Sequence, residues 1–555
     1  MRSFYWIVLV FMAGVMVGCS EKPEADLVLT HGKIFTARDT HEFVQALAVK
    51  SGRILSVGSN QKIWHYVGQN TRVIDLKGKL VVPGFHDAHL HFWSGAALQR
   101  ELNLTGLRSK EAVLKRVEEE VKKHEPGEWI VGRGWDNELW PDHQLPTHRD
   151  LDRIAPDNPV YLKRVDGHAA WVNRQVLRIL RYNRLTPDPP GGKIVRYPDG
   201  QPTGILVDAA FELLDNLIPE PTSVEKAELI RQAMQYANSL GITSITDNSP
   251  ANLYFVYADL ASEGELTARV HFWVYGNNNL DSLRHRFIQA PPVNDSLLEA
   301  HLVKFFADGS MGSRSAYLLE PYRDDPGNYG LPQHTPDELY RMVKQADEKG
   351  WQIGIHAIGD AANRMVLDVY EKIAAERFQS DRRWRIEHAQ FVQPEDIVRF
   401  ARLGVIASMQ PVHCISDMKW AEDRIGERVK YAYSWRSMLQ HHVPLAFGTD
   451  WPVEPLNPLL GIYAAVTRQD TTGYPPEGWH PEQRLTVGEA VYAYTYGSAY
   501  AAKSETWQGR LLAGYVADFV VLDRDIFTIP PADILKTKVV ETYLNGRRVY
   551  PFGEQ

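Results

Sequence analysis

Eight short apolar segments, each followed by a stretch of helical character, run through the middle of the chain. They are GFHDAHLHF (84–92), GITSITD (241–247), RVHFWVYG (269–276), HLVKFFADG (301–309), WQIGIHAIGD (351–360), RWRIEHAQF (383–391), GVIASMQP (404–411) and PLAFGTDWPV (444–453). Apolar runs of this length read as strands buried on both faces, and their alternation with helices argues for a parallel sheet. Eight such strands close into a (β/α)8 barrel, whose reactive groups gather at the C-terminal strand ends. The predicted fold class is therefore α/β, with a TIM-like barrel over residues 83–507.

One interval does not fit a plain barrel. Between the first and second segments lie about 150 residues, too many for a single crossover. This stretch has strand and turn signals of its own, so residues 108–225 read as an inserted α+β subdomain. Without the insert about 300 residues remain for the barrel, an ordinary size. Residues 26–82 and 508–555 consist of short Val, Ile and Leu runs broken by glycine turns, with an Asn545-Gly546 hairpin signal near the end. A small β-sandwich built from both termini is predicted.

The strand ends carry unusual polar residues. His89 and His91 are two apart and so share one face of a strand. Lys304 lies between Val303 and Phe305, His356 and His388 end the fifth and sixth segments, and Asp450 ends the eighth. Singly, each has an ordinary explanation as a hydrogen-bonded core imidazole, a snorkelling lysine or a helix cap. Their recurrence at five strand ends argues for one shared centre, and imidazoles on one face suit a metal ion. A lysine inside an apolar strand is costly unless it is neutralised or used. His86 points to the opposite face and reads as structural.

Composition narrows the partners. Of 555 residues 44% are hydrophobic and 23% charged, with a net charge of -8 and no basic run, which excludes a nucleic-acid partner. The first residues, MRSFYWIVLVFMAGVMVGCSEKPEAD, combine Arg2, an apolar run from Phe4 to Val17, and Gly18-Cys19 before a polar stretch. That run is too short for a membrane span and reads as a secretory signal peptide over 1–19. It resembles a bacterial lipobox, which implies cleavage before Cys19 and a lipid on Cys19. The expected location is the bacterial cell envelope, anchored to the membrane on its periplasmic or extracytoplasmic side. Cys414 is the only other cysteine, so no intramolecular disulfide is expected.

Taken together, these residues resemble the pattern of the metal-dependent amidohydrolases: H-x-H on strand one, a carboxylated lysine on strand four, single histidines on strands five and six, and an aspartate on strand eight. The segments GRGWDNELWP, DGHAAWVN, KFFADGSMGSRSA, HAIGD, EHAQ, SMQPVH and GTDWPVEPLNPL are similar to the YtcJ-like branch, which includes N-substituted formamide deformylase. Thr449 stands where serine is commoner and keeps the hydroxyl. The resemblance implies one divalent metal, expected to be Zn2+, held by His89, His91 and Asp450. It implies a second on His356 and His388, with a CO2-derived carbamate on Lys304 bridging the two; a one-metal site is the alternative. It further implies hydrolysis of a non-peptide C–N amide bond in an N-acyl or N-formyl amine by metal-activated hydroxide, with Asp450 carrying the proton.

The partner is then a small-molecule amide, and a homodimer is compatible with the chain. Candidate substrate contacts are Trp135, His168, Arg314 and His413, with simple packing the competing explanation for Trp135 and Trp171. Rival functions are hydrolysis of a lactone, phosphoester or cyclic amide on the same fold, or a non-catalytic metal- or solute-binding lipoprotein.

Overall fold

The computed structural model describes residues 24–552, apart from 99, 165–168, 190–191, 209, 212–213, 215–216, 219, 277–278, 289–295, 313 and 379–380. Cys19 and His168 therefore lie outside the described residues.

All eight predicted barrel strands are present: β1 (Phe85–Leu90), β2 (Ile242–Asn248), β3 (Arg269–Tyr275), β4 (Leu298–Phe306), β5 (Gln352–Ala357), β6 (Arg385–His388), β7 (Ile406–Met409) and β8 (Leu445–Phe447). Each pairs in parallel with the next, in sequence order. At the C-terminal end the ring is stitched together beyond β1 and β8. Asp450 N–H donates to the His89 carbonyl and His91 N–H to the Trp451 carbonyl, each at 2.8 Å.

The barrel interior is packed. The Trp273 indole of β3 occupies it, and a Cβ on Gly354 of β5 would lie 2.3 Å from that ring. The Arg385 guanidinium lies 4.8 Å from the ring centroid. Surrounding helices begin where the sequence supplies capping boxes, as at Thr222 and Glu225 for Ser223–Ser239 and at Thr335 and Glu338 for Pro336–Glu348.

The insert forms a six-stranded sheet between Leu102 and Asp208. It starts before the predicted boundary at 108, and the predicted end at 225 falls inside the Ser223–Ser239 helix, which leads directly into β2. Trp135, Trp140 and Trp171 form one of its cores with Val113 and Val117 of the Lys110–Val121 helix.

Strands from both chain ends meet in a second six-stranded sheet, where Leu80–Pro83 runs antiparallel to Phe519–Leu522. Leu80–Pro83 precedes β1 by one residue, so this sheet also aims β1. A four-stranded sheet of N-terminal strands completes the unit. Among the described residues no helix is long and apolar enough to cross a membrane.

Candidate active site

The strand ends bring five imidazoles, a lysine and an aspartate together. His89 sits on β1 with Nδ1 2.8 Å from Glu387 Oε2 and Nε2 3.1 Å from Lys304 Nζ. His91 donates from Nδ1 to the Asn248 carbonyl at 3.0 Å, and its Nε2 is 3.3 Å from Asp450 Oδ1. His388 donates from Nδ1 to Gln410 Oε1 at 2.9 Å. His413 has Nδ1 3.1 Å from Glu454 Oε1 and Nε2 3.3 Å from Asp450 Oδ2. In all four rings Nδ1 meets a protein oxygen and Nε2 faces the centre, the arrangement that orients histidines toward a metal.

His356 differs. Its Nε2 donates to the Gly309 carbonyl at 3.1 Å, which leaves Nδ1 as the nitrogen with a lone pair. Its ring centroid is 4.4 Å from that of His388. Behind it the Asp308 carboxylate accepts the backbone N–H groups of Tyr317, Ile358 and Gly359. Burial nonetheless pushes Asp308 up to about 7.

Asp450 is placed by a strained turn, with φ of 59° in the left-handed region that few non-glycine residues adopt. A Cβ on the preceding Gly448 would lie 2.6 Å from His89 N, so this close approach requires glycine. Asp87 ties the two strand ends together. It accepts the Thr449 hydroxyl at 2.5 Å, Thr449 N–H at 3.0 Å and His89 N–H at 3.2 Å. The hydroxyl that Thr449 shares with serine is thus in use.

The Asp450 carboxylate divides between two sets of neighbours. Oδ1 lies 3.3 Å from His91 and 3.6 Å from His89, while Oδ2 lies beside His413. Oδ1 is buried and has no hydrogen-bond donor. Two groups have ligand atoms within 4.8 Å of one another, His89, His91 and Asp450, and His388, His413 and Asp450. Imidazoles with a carboxylate are the donor set of divalent transition metals, so these residues fit such an ion.

The electrostatics suit the same role. Burial and then the Lys304 charge push His89 down to about 4 and His356 to about 3. Burial, followed by His356, holds His388 well below the usual imidazole range. Burial also lowers Lys304 to about 8. Burial opposes the charge on Asp450, but the His413 hydrogen bond and the imidazoles of His91, His388 and His89 around it outweigh burial and hold the carboxyl well below its usual value. His413 moves the other way. Burial disfavours its cation, yet hydrogen bonds to Asp450 and Glu454 raise it to about 10.

A cavity of about 370 Å³ opens onto these groups. Its lining includes Lys304, His356, His388, His413 and Asp450, with Met311, Ile358, Trp420 and Val453 supplying apolar surface.

The structure therefore assembles all six predicted ligand residues, and His413 joins them beside Asp450. Two predicted substrate contacts are corrected. Trp135 is buried in the insert, where its indole N–H donates to the Leu162 carbonyl at 2.9 Å, so no part of it is free to meet a substrate. Arg314 does not line the cavity, because its guanidinium is bound to Asp324 at 2.7 and 3.2 Å. His86, expected on the face of β1 opposite His89, instead enters the barrel interior beside His271, with Nε2 2.9 Å from Thr246 Oγ1, because the register of β1 shifts between Asp87 and Leu90 and breaks the alternation. Asp87, Glu387, Gln410 and Glu454 went unassigned from the sequence. For Asp87 and Glu387 a signal existed, since an acid inside an apolar strand is as costly as the lysine at 304.

Comparison with known proteins agrees with this geometry. Residues 72–550 match the Amidohydrolase family. The chain is 34% identical over 529 residues to the putative amidohydrolase YtcJ of Bacillus subtilis, covering 94% of this chain and 98% of that protein. It is 27% identical over 539 residues to the N-substituted formamide deformylase of Arthrobacter pascens, covering 94% and 97%. An uncharacterized metal-dependent hydrolase from Pyrococcus horikoshii, of known crystal structure, superposes with a TM-score of 0.76 at 31% identity, covering 91% of this chain and 99% of that one. On its length, its fold and its histidine–aspartate centre, the chain belongs to the metal-dependent amidohydrolase family.

Proposed function

We propose that this protein hydrolyses a non-peptide C–N amide bond in a small N-acyl or N-formyl amine, using one or two divalent ions, with Zn2+ the first to test. The observation that carries the reading is Asp450, whose carboxylate lies between two imidazole groups while its buried Oδ1 lacks a donor. A buried anionic oxygen in that state calls for a cation. The choice of a C–N amide leans on the similarity to N-substituted formamide deformylase.

His89, His91 and Asp450 would hold one ion, and His356 and His388, with His413 at hand, a second. A divalent ion bound there supplies Lewis acidity, lowering the pKa of a water to about 7 and polarising a carbonyl. Asp450 accepts the proton of the attacking water and returns it to the leaving nitrogen. His413, held by Glu454, fixes the orientation of the Asp450 carboxylate. The apolar surface of Met311, Ile358 and Val453 receives the carbon skeleton of the substrate and keeps bulk water away.

Lys304 makes no ion pair among the described residues. Its amine is proposed to add to CO2, forming an N–C bond and releasing a proton, which converts a buried cation into an anionic ligand. Export and a lipid on Cys19 belong to the same proposal, resting on residues 1–26 alone.

The test is divalent metal content per chain, measured on protein beginning at Ser20 beside Lys304→Ala and Asp450→Asn. The parent is expected to hold one to two ions, and Lys304→Ala to lose most of the second. Asp450→Asn should retain appreciable metal yet lose about 10²- to 10⁴-fold in hydrolysis of N-formyl and N-acyl amines. A parent without metal under metal-sufficient conditions overturns the proposal, as does an Asp450→Asn variant of undiminished activity.

A further inference from the structure

We infer that Glu387 is a positioning residue that sets the metal affinity of the centre through His89, held in register by its ion pair with Arg385. The inference rests on His89 being a metal ligand, as proposed above. Glu387 directly precedes His388 at the end of β6, where His388 leaves the extended backbone with φ of 73° and turns over the barrel mouth toward His89 and His356. His388 faces the cavity, while Glu387 enters the closed interior of the barrel and is fully buried.

There Glu387 meets His89 and Arg385 together. Its Oε2 lies 2.8 Å from His89 Nδ1, and it accepts Arg385 Nε at 2.8 Å on Oε1 and Nη2 at 3.1 Å on Oε2. The same Arg385 Nη2 donates to Ser408 Oγ at 2.8 Å and to the Ala88 carbonyl at 2.7 Å. One ion pair thus grips His89 twice, by its ring and by the backbone just before it, and ties β1 to β6 and β7. The Trp273 indole lies against the guanidinium at 4.8 Å, and Lys304 Nζ lies 5.7 Å from the same ring. Arg385 cannot turn away without opening the packed interior.

A carboxylate 2.8 Å from Nδ1 favours the proton on that nitrogen, which leaves Nε2 as the lone-pair nitrogen and makes the ring a stronger donor to a cation. A pair serving the fold alone would need no carboxylate set against a ring nitrogen of this centre. The arrangement couples barrel packing to the charge and angle of one ligand.

The experiment is chelator competition with Zn2+ on the parent, Glu387→Gln, Glu387→Asp and Ser408→Ala proteins, each first shown by circular dichroism to keep a cooperative thermal transition. Glu387→Gln retains the shape and removes the charge, and is expected to weaken Zn2+ binding by about 10- to 100-fold. Glu387→Asp keeps the charge but withdraws it by one methylene, and is expected to weaken binding less. Ser408→Ala leaves Glu387 in place and is expected to bind Zn2+ like the parent. Folded Glu387→Gln and Glu387→Asp proteins with parental affinity and only a lowered melting temperature would overturn the inference. A parent that takes up no Zn2+ would overturn the ligand reading of His89 and this inference with it.

Discussion

His86 and His89 stand three positions apart on β1 and serve different ends. His89 turns to the catalytic centre, whereas His86 stacks on His271 at 4.9 Å with its Nδ1 buried and unpartnered. Burial, followed by the charges of His271 and Arg385, holds His86 well below its usual value of 6.5. The folded protein therefore keeps this ring neutral, while the unfolded chain takes up its proton below pH 6.5. Its contribution to stability is present above that pH and is lost progressively as the pH falls. In His86→Gln the acid limb of the unfolding free energy should be shallower by up to about 1.4 kcal/mol per pH unit. Denaturant titrations of metal-free protein between about pH 7.5 and 5.5 measure that slope. An unchanged slope would assign the proton uptake to other groups. Alternation along an ideal strand predicts opposite faces for these two histidines, but the register of β1 shifts between Asp87 and Leu90 and both rings enter the barrel interior. The place of Arg314 was not legible either, since its partner Asp324 lies across a turn whose shape no local pattern encodes.

Among the elements, β5 shows how tightly the barrel is filled. Gly354 abuts Trp273 so closely that any side chain there must displace the indole, and with it the surface against which Arg385 lies. Gly354→Ala should destabilise the protein by about 1–3 kcal/mol through overpacking. The midpoint of denaturant unfolding reads this directly, and a parental midpoint would show that the interior can relax. All eight barrel strands were found from sequence because strands buried on both faces must be continuous apolar runs. The limits of the insert were missed for a physical reason too. The Ser223–Ser239 helix carries the same capping box and apolar face whichever unit it joins, and only its run into β2 assigns it to the barrel.

For the whole molecule, the barrel and the terminal sheets are joined by a buried ion pair. Arg269, at the start of β3, donates to Asp518 at 2.7 and 3.0 Å. Removing one partner of such a pair strands the other charge, so Asp518→Ala should cost about 3–5 kcal/mol. Scanning calorimetry should show one cooperative transition at a lower temperature; a separate early transition with the barrel unchanged would mean that the two units melt independently. The sequence by itself determined the strand positions, the both-ended sheet and which six residues gather at the candidate metal centre, because residue type, burial and periodicity are local properties. Only the tertiary structure decided which oxygen holds each imidazole, that His413 meets Asp450, and that Trp135 serves packing. His91 and the Asn248 carbonyl that orients it are 157 positions apart, and such a contact exists only once the barrel has closed.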